Sequence, residues 1–287
     1  MTEYKAVNEL LNTGLGTEGQ LLIPRNIYNT LIDEVDKVLI PRSECAIYFG
    51  TGDIPGSSID VDLVNVNQGS VRIVAEGAEI PIDQTSYTSF NLKPVKYGVS
   101  VRITREMLED SKWNLLQHNL KTFGKRFAEN ETKLILQDAL DNATNTVAGG
   151  AAITIANITR AIQYLDDADY SATTLFVGME VLNDLRNIDT FVEANKVGNT
   201  DMLARGFLGT IYGLNVLKFS TNAAPSTTYS KYAYVTDRSQ AYVIAEKRPV
   251  SVENFTLPVY DMDAATITQR LKIRHLKADA IAKITTS

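Results

Sequence analysis

Cysteine, histidine and tryptophan are almost missing from this chain, which has one cysteine, two histidines and one tryptophan in 287 residues. With Cys45 alone, no disulfide closes within the chain and nothing calls for an oxidising compartment. Neither His118 nor His275 has a second histidine or a cysteine at metal-ligand spacing, so both are expected in structural roles and no metal is expected. Long apolar runs are missing too. None approaches the ~20 residues that cross a bilayer, and the opening MTEYKAVNEL has neither a basic leader nor an apolar core, so a soluble chain made in the cytosol and not in a membrane is expected. An excess of positive charge is likewise absent. A net charge of -6 argues against a protein whose main task is to coat nucleic acid, because that binding rests on neutralising phosphates.

Catalytic signatures are as scarce. Neither a G-x-x-x-x-G-K-[ST] loop nor a G-x-S-x-G elbow occurs. Gly14, Gly16 and Gly19 spell G-x-G-x-x-G. A helix-like segment precedes them and Leu21-Leu22-Ile23-Pro24 follows, whereas the dinucleotide motif needs a strand before and a helix after, so a flexible hinge is the better reading. Asp166 and Asp167 are adjacent, which on a helix points them in different directions, as at a solvated end. Cys45 beside Ala46 and Ile47 reads as a small buried residue. No enzyme and no cofactor are expected.

What is present begins with a spine. From Lys112 to Leu140 there is no proline, and Trp113, Leu116, Leu120, Phe123, Phe127 and Leu134 recur at three- and four-residue steps, which predicts one long amphipathic helix. Thr104 and Ser111 are candidate caps before it. A shorter helix is expected over Pro24 to Val38. Between these helices the period changes to two: Ile59, Val61 and Leu63 form one strand, and Val99, Val101 and Ile103 another. The charged, turn-rich section between those strands carries E-G-A-E-I-P near its middle and too few large apolar residues for a core of its own. An isolated ribbon of this kind is marginal in water, so it is expected to rest on this chain's body or on another copy.

After Leu140, Asp141 to Gly150 reads as a linker or domain boundary. A second, alternating unit follows, with helices near Asn157 to Asp166 and Glu180 to Asn187 and strands at Thr173 to Val177, Asn215 to Phe219, Tyr232 to Thr236 and Ala241 to Ile244. The length supports about two domains. The tail from Thr266 to Ile284 is expected to be one late strand that rejoins the first domain. It has Ile267, Leu271 and Ile273 on one side and Arg270, Lys272 and Arg274 on the other. That basic face is open to three readings: a solvated surface, a contact to acidic groups of a neighbour, or a contact to enclosed nucleic acid.

The order of these parts resembles the tailed-phage major capsid protein family. The fragments that carry the resemblance are G-T-E-G-Q-L-L-I-P, E-G-A-E-I-P, K-P-V-K-Y-G-V-S-V-R-I-T-R-E-M-L-E-D-S, T-L-F-V-G-M-E-V-L-N-D-L, I-Y-G-L-N-V-L-K-F-S, Y-A-Y-V-T-D-R-S-Q-A-Y-V-I and R-L-K-I-R-H-L-K-A-D-A-I-A-K-I, spread over nearly the whole chain. The resemblance implies an α+β chain with the Hong Kong 97-type capsid fold. Its parts would be an N-terminal arm over 1–22, a peripheral domain over 23–56, an extended β-hairpin loop over 57–103, the peripheral domain with its long spine helix over 104–150, an axial domain over 151–244 and C-terminal strands of the peripheral domain over 245–287.

By the same resemblance the function is assembly: copies join through pentamers and hexamers into an icosahedral shell that encloses double-stranded DNA without sequence-specific binding. The chain's main partner is then itself, with a separate scaffolding protein, a portal and cement proteins as further partners, and its place is the virion, after assembly in the host cytoplasm. An encapsulin-like nanocompartment that encloses an enzyme cargo is the alternative, and an ordinary soluble enzyme the third reading. Relatives with a built-in scaffold carry a long helical N-terminal extension; about twenty residues precede the matched region here, so a separate scaffold or none is expected. Glu76 and Glu79 on the loop are candidate intersubunit contacts, with Arg270, Lys272 and Arg274 as candidate partners. Some relatives join a loop lysine covalently to a neighbour's asparagine; Lys93 and Lys96 are the nearest candidates, and no motif demands it.

Overall fold

The computed structural model describes residues 40, 42–64, 73–77, 79–80, 87–104, 106–107, 115–188 and 210–286. The expected N-terminal arm with its glycine hinge, the helix over 24–38, the candidate cap Ser111 and most of the glycine-rich stretch before Gly213 lie outside these residues.

Three sheets organise the chain. A four-stranded sheet has the order β1 (Ile47–Phe49), β10 (Tyr242–Leu257), β11 (Met262–His275) and β4 (Val95–Thr104). A two-stranded sheet pairs β2 (Ile59–Val64) with β3 (Tyr87–Leu92). A six-stranded sheet runs β5 (Asn145–Gly150), β12 (Ile281–Thr286), β9 (Tyr232–Thr236), β6 (Thr174–Val177), β8 (Leu214–Lys218) and β7 (Thr210–Ile211).

The spine is helix α1, Leu115–Leu134, continued by one wide π-helical stretch over Ile135–Leu140. Phe123 and Phe127, two residues of the predicted stripe, pack against Tyr97 and Val99 of β4 and Ile267 of β11. The wide turn brings Ile135, Leu136, Ala139 and Leu140 all out of water, where they meet Tyr242 and Ile244 of β10 and Leu271 and Ile273 of β11. Burial of that many side chains offsets the poorer hydrogen-bond geometry of the π form. β4 shows the predicted alternation, with Val101 and Ile103 buried and Ser100 and Arg102 exposed.

Four sequence expectations need correction. The strand at Ile59 pairs with Tyr87–Leu92, while the strand at Val99 pairs with β11, so the two predicted strands belong to different sheets. Asp141 to Gly150 is not a plain linker: Asn145–Gly150 is β5, parallel to β12, a pairing its small residues did not advertise. The tail is two strands, since β11 joins the long sheet with β4 whereas β12 pairs with β5 and β9. The strand at Ala241 runs on to Leu257 and lies in the four-stranded sheet, outside the second unit. Lys247, Arg248 and Pro249 hid that continuation. The register there shifts between Glu246 and Arg248 and again between Arg248 and Ser251, irregularities that accommodate a residue without an N–H.

The second unit is a sheet covered by helices. In α2 (Ile155–Asp166) the buried positions are Ile158, Ala161 and Leu165, and in α3 (Met179–Asn187) they are Val181, Leu182 and Leu185. β6 is buried along its whole length, with Leu175 and Val177 toward the helices and Phe176 toward the core shared with the spine. Such a strand reads as an unbroken apolar run. Gly178 starts α3 where the chain touches the turn before β9, and a Cβ there would stand 2.3 Å from the Ser230 carbonyl oxygen and 2.6 Å from that of Tyr229. Backbone on both sides leaves nothing to swing away. Gly178→Ala is therefore expected to cost ~1–3 kcal/mol or more in denaturant unfolding, and a stability equal to that of the parent chain would show that this contact is loose.

Candidate functional site

The candidate contact residues fall into two groups. Glu76 sits with Gly77 in a turn where Gly77 has φ +79°, a left-handed conformation suited to glycine, and both Glu76 and Glu79 are exposed. Among the described residues neither carries an ion pair. The three basic residues, by contrast, are all half-buried and engaged within the chain: Arg270 Nε donates to the Pro94 carbonyl at 3.1 Å, Lys272 Nζ pairs with Asp138 at 3.0 Å, and the Arg274 guanidinium lies 4.6 Å from the centre of the Phe90 ring. The structure thus does not bring Glu76 or Glu79 to the basic strand of the same chain. Lys93 and Lys96 are exposed.

The hairpin β2–β3 is held at its base. Val61 and Leu92 are buried against Val243, Ala245 and Leu276, with Ile54 beneath. Because Val243 and Ala245 alternate with Tyr242 and Ile244, which face the spine, the hairpin and the spine occupy opposite faces of β10.

The most concentrated chemistry is a buried polar network that the sequence reading missed. Arg42 donates to Glu131 through Nε and Nη2, both at 2.9 Å, and to Glu246 through Nη1 at 2.9 Å and Nη2 at 3.0 Å. Tyr48 donates its hydroxyl to Glu246, and Gln269 Nε2 donates to Glu246 at 3.1 Å and Glu131 at 3.3 Å. Glu131, Glu246 and Gln269 are 1%, 2% and 1% exposed. Burial favours an uncharged Glu246, but hydrogen bonds from Arg42 and Tyr48 and the guanidinium charge outweigh it and hold its pKa below the ordinary 4.5. Arg42 is held charged above its ordinary range despite burial, by Glu131 first and Glu246 second. Burial and the bond to Glu246 push Tyr48 up to about 12.

A signal for this network did exist. Glu131 lies four residues after Phe127 and three before Leu134, and Gln269 lies between Ile267 and Leu271, so each occupies a core-facing position with a polar side chain. Arg42 and Tyr48 stood in a stretch without any period.

Nothing in this arrangement resembles a reactive centre. Among the described residues no group of three or more His, Cys, Asp or Glu could hold a metal. Burial pushes the Cys45 thiol up and the His275 imidazole down, away from a reactive thiolate or a charged imidazole. What the described residues offer is surface: the exposed carboxylates of Glu76 and Glu79 on a body braced by this network.

Comparison with known proteins fits that description. A family model described as phage capsid protein matches residues 87–278, more than half of the chain. The chain belongs to the phage capsid protein family. Solved structures similar to this capsid protein include one from Microbacterium phage Oxtober96, at 18% identity and a TM-score of 0.67, with 87% of this chain and 94% of that one covered. The mature capsid of bacteriophage PhiM1 aligns at 11% identity and a TM-score of 0.65, covering 87% of each chain. The capsid of a native GTA particle aligns at 15% identity and a TM-score of 0.62, with 87% and 92% covered. No curated protein matches. These likenesses establish the Hong Kong 97-type fold of the capsid protein, with its mixed helices and strands.

Two expectations follow from the network. Arg42→Ala leaves two buried carboxylates facing each other and is expected to cost ~3–5 kcal/mol; a loss under 1 kcal/mol in urea unfolding would mean that water already reaches them. The pH dependence has a definite sign. The contribution of Glu246 is complete above its unfolded pKa near 4.5 and is lost as pH falls through its lower folded pKa. The slope of stability against pH below 4.5 is therefore expected to be shallower in Glu246→Gln than in the parent chain.

Proposed function

We infer that this chain is the major capsid protein of a tailed virus, which self-assembles through pentamers and hexamers into an icosahedral shell around double-stranded DNA. The observation that carries the reading is the phage capsid family match over residues 87–278, which runs from β3 to the turn before β12. Three physical features support it. The hairpin β2–β3 packs one side on the body through Ile59, Val61, Leu63, Phe90 and Leu92 and leaves Tyr87, Thr88 and Ser89 exposed, as expected of an element that also makes contacts with another copy. Fixed contacts repeated between identical chains close into rings when the rotation permits. A net charge of -6 suits a container, because a strongly basic lining would hold DNA by counterion release and not let it move.

In this reading the chain is no enzyme, its place is the virion, and it assembles in the host cytoplasm with a scaffolding protein, portal or cement proteins as additional partners. Glu76 and Glu79 act at the contact between copies. A neighbour's Glu76 or Glu79 would have to displace or join the existing partners of Arg270, Lys272 and Arg274 to reach them. The phage family match favours a viral shell over an enzyme-filled nanocompartment. Electron microscopy of the purified chain, at high concentration and with a crowding agent, is expected to show closed shells tens of nanometres across. Persistent monomers under those conditions would count against assembly, and shells packed with a co-purified enzyme would turn the reading to the nanocompartment.

A further inference from the structure

An open cleft of about 220 Å³ lies between the spine and the outer strand of the long sheet. Val99, Phe123 and Phe127 give it apolar walls, while Arg126 and Asn130 stand at its rim. The Arg126 guanidinium lies 5.4 Å from the Phe123 ring centre, is exposed, and has no carboxylate partner among the described residues. The cleft is thus a greasy slot with a positive charge beside it, larger than the ~150 Å³ apolar cavity that holds a benzene ring.

The chain carries a segment of matching chemistry. Ile80 is 73% exposed, a branched aliphatic side chain outside the core clusters of the described residues, and it directly follows the exposed carboxylate of Glu79. An aliphatic anchor next to a carboxylate complements an apolar slot next to a guanidinium, both in shape and in charge.

Segment and slot do not meet within one chain. The base of the hairpin packs on Val243 and Ala245, on the face of β10 away from the spine, and Arg270 and Arg274 hold it there through Pro94 and Phe90. The cleft is lined by the spine and β4, and Ile80 is not among its lining residues. We propose that the cleft receives Ile80 of a second copy of this chain, with Glu79 of that copy paired to Arg126. This rests on the assembly reading and names the contact by which the loop engages its neighbour. Glu79 thereby gains a basic partner that carries no ion pair among the described residues, in place of three that are engaged.

Disulfide trapping tests it. In a Cys45→Ala background, Ile80→Cys and Asn130→Cys are combined, particles are formed, oxidised, and run on a non-reducing denaturing gel. A ladder of subunit multiples is expected from the double variant, with monomers from Asn130→Cys alone. Closed shells that give only monomer bands, or a fast-migrating monomer linked within itself, would overturn the contact and leave assembly standing. If the unmodified chain forms no shells at all, the assembly reading falls and this contact falls with it. A charge exchange gives an independent reading: Glu79→Arg and Arg126→Glu are each expected to lower the yield of shells at least tenfold, and together to restore it to within threefold of the parent. Failure of the pair to recover while either single variant assembles normally would also overturn it.

Discussion

One guanidinium shared between two buried carboxylates is the constraint on which the rest of this structure depends. Arg42 joins Glu131 on the spine to Glu246 on β10, and Gln269 on β11 bridges the same two carboxylates. Four separate pieces of chain meet there. Each carboxylate alone would be costly in a site this dry, and the group is tolerable only because its donors are nearly all spoken for. An apolar cluster of the same volume could be as stable. The polar one has a narrower geometry, because four guanidinium N–H bonds and four carboxylate oxygens must find each other, and so it sets the register of spine against sheet.

That register matters because the two sheets share a core. Phe176 and Tyr234 from the six-stranded sheet, Ile244 and Leu271 from the long sheet, and Leu136 and Leu140 from the π stretch lie in one cluster. Near them, Tyr229 and Lys283 both bond to Asp141, just past the end of the spine. The spine therefore ends at the junction of the two units and ties each to the other. On the opposite face of β10 the hairpin β2–β3 packs through Ile59, Val61, Leu63, Phe90 and Leu92, while Tyr87, Thr88 and Ser89 stay exposed.

Charge was the least legible part of the sequence. Alternation along β11 correctly separates Ile267, Leu271 and Ile273 from Arg270, Lys272 and Arg274, yet a row of charges says nothing about what lies across from it. In the fold, a carbonyl, an aspartate and an aromatic ring, each from a different element, meet those three in turn. Glu76 and Glu79, by contrast, are exposed, with no ion pair among the described residues.

By itself the sequence determined the helical stripe of the spine, the alternation of β4 and β11 and both helices of the second unit. All of these are properties of neighbours along the chain, readable from a period of 3.6 or 2. The order of its fragments also pointed to the capsid family. Only the tertiary structure decided which strands pair, that Asn145–Gly150 is a strand, that β10 continues past Pro249, and that Arg42 meets Glu131 and Glu246. Pairing and ion contacts join residues far apart in sequence, and no local pattern encodes the partner. A polar residue at a core-facing position announces only that some partner must exist.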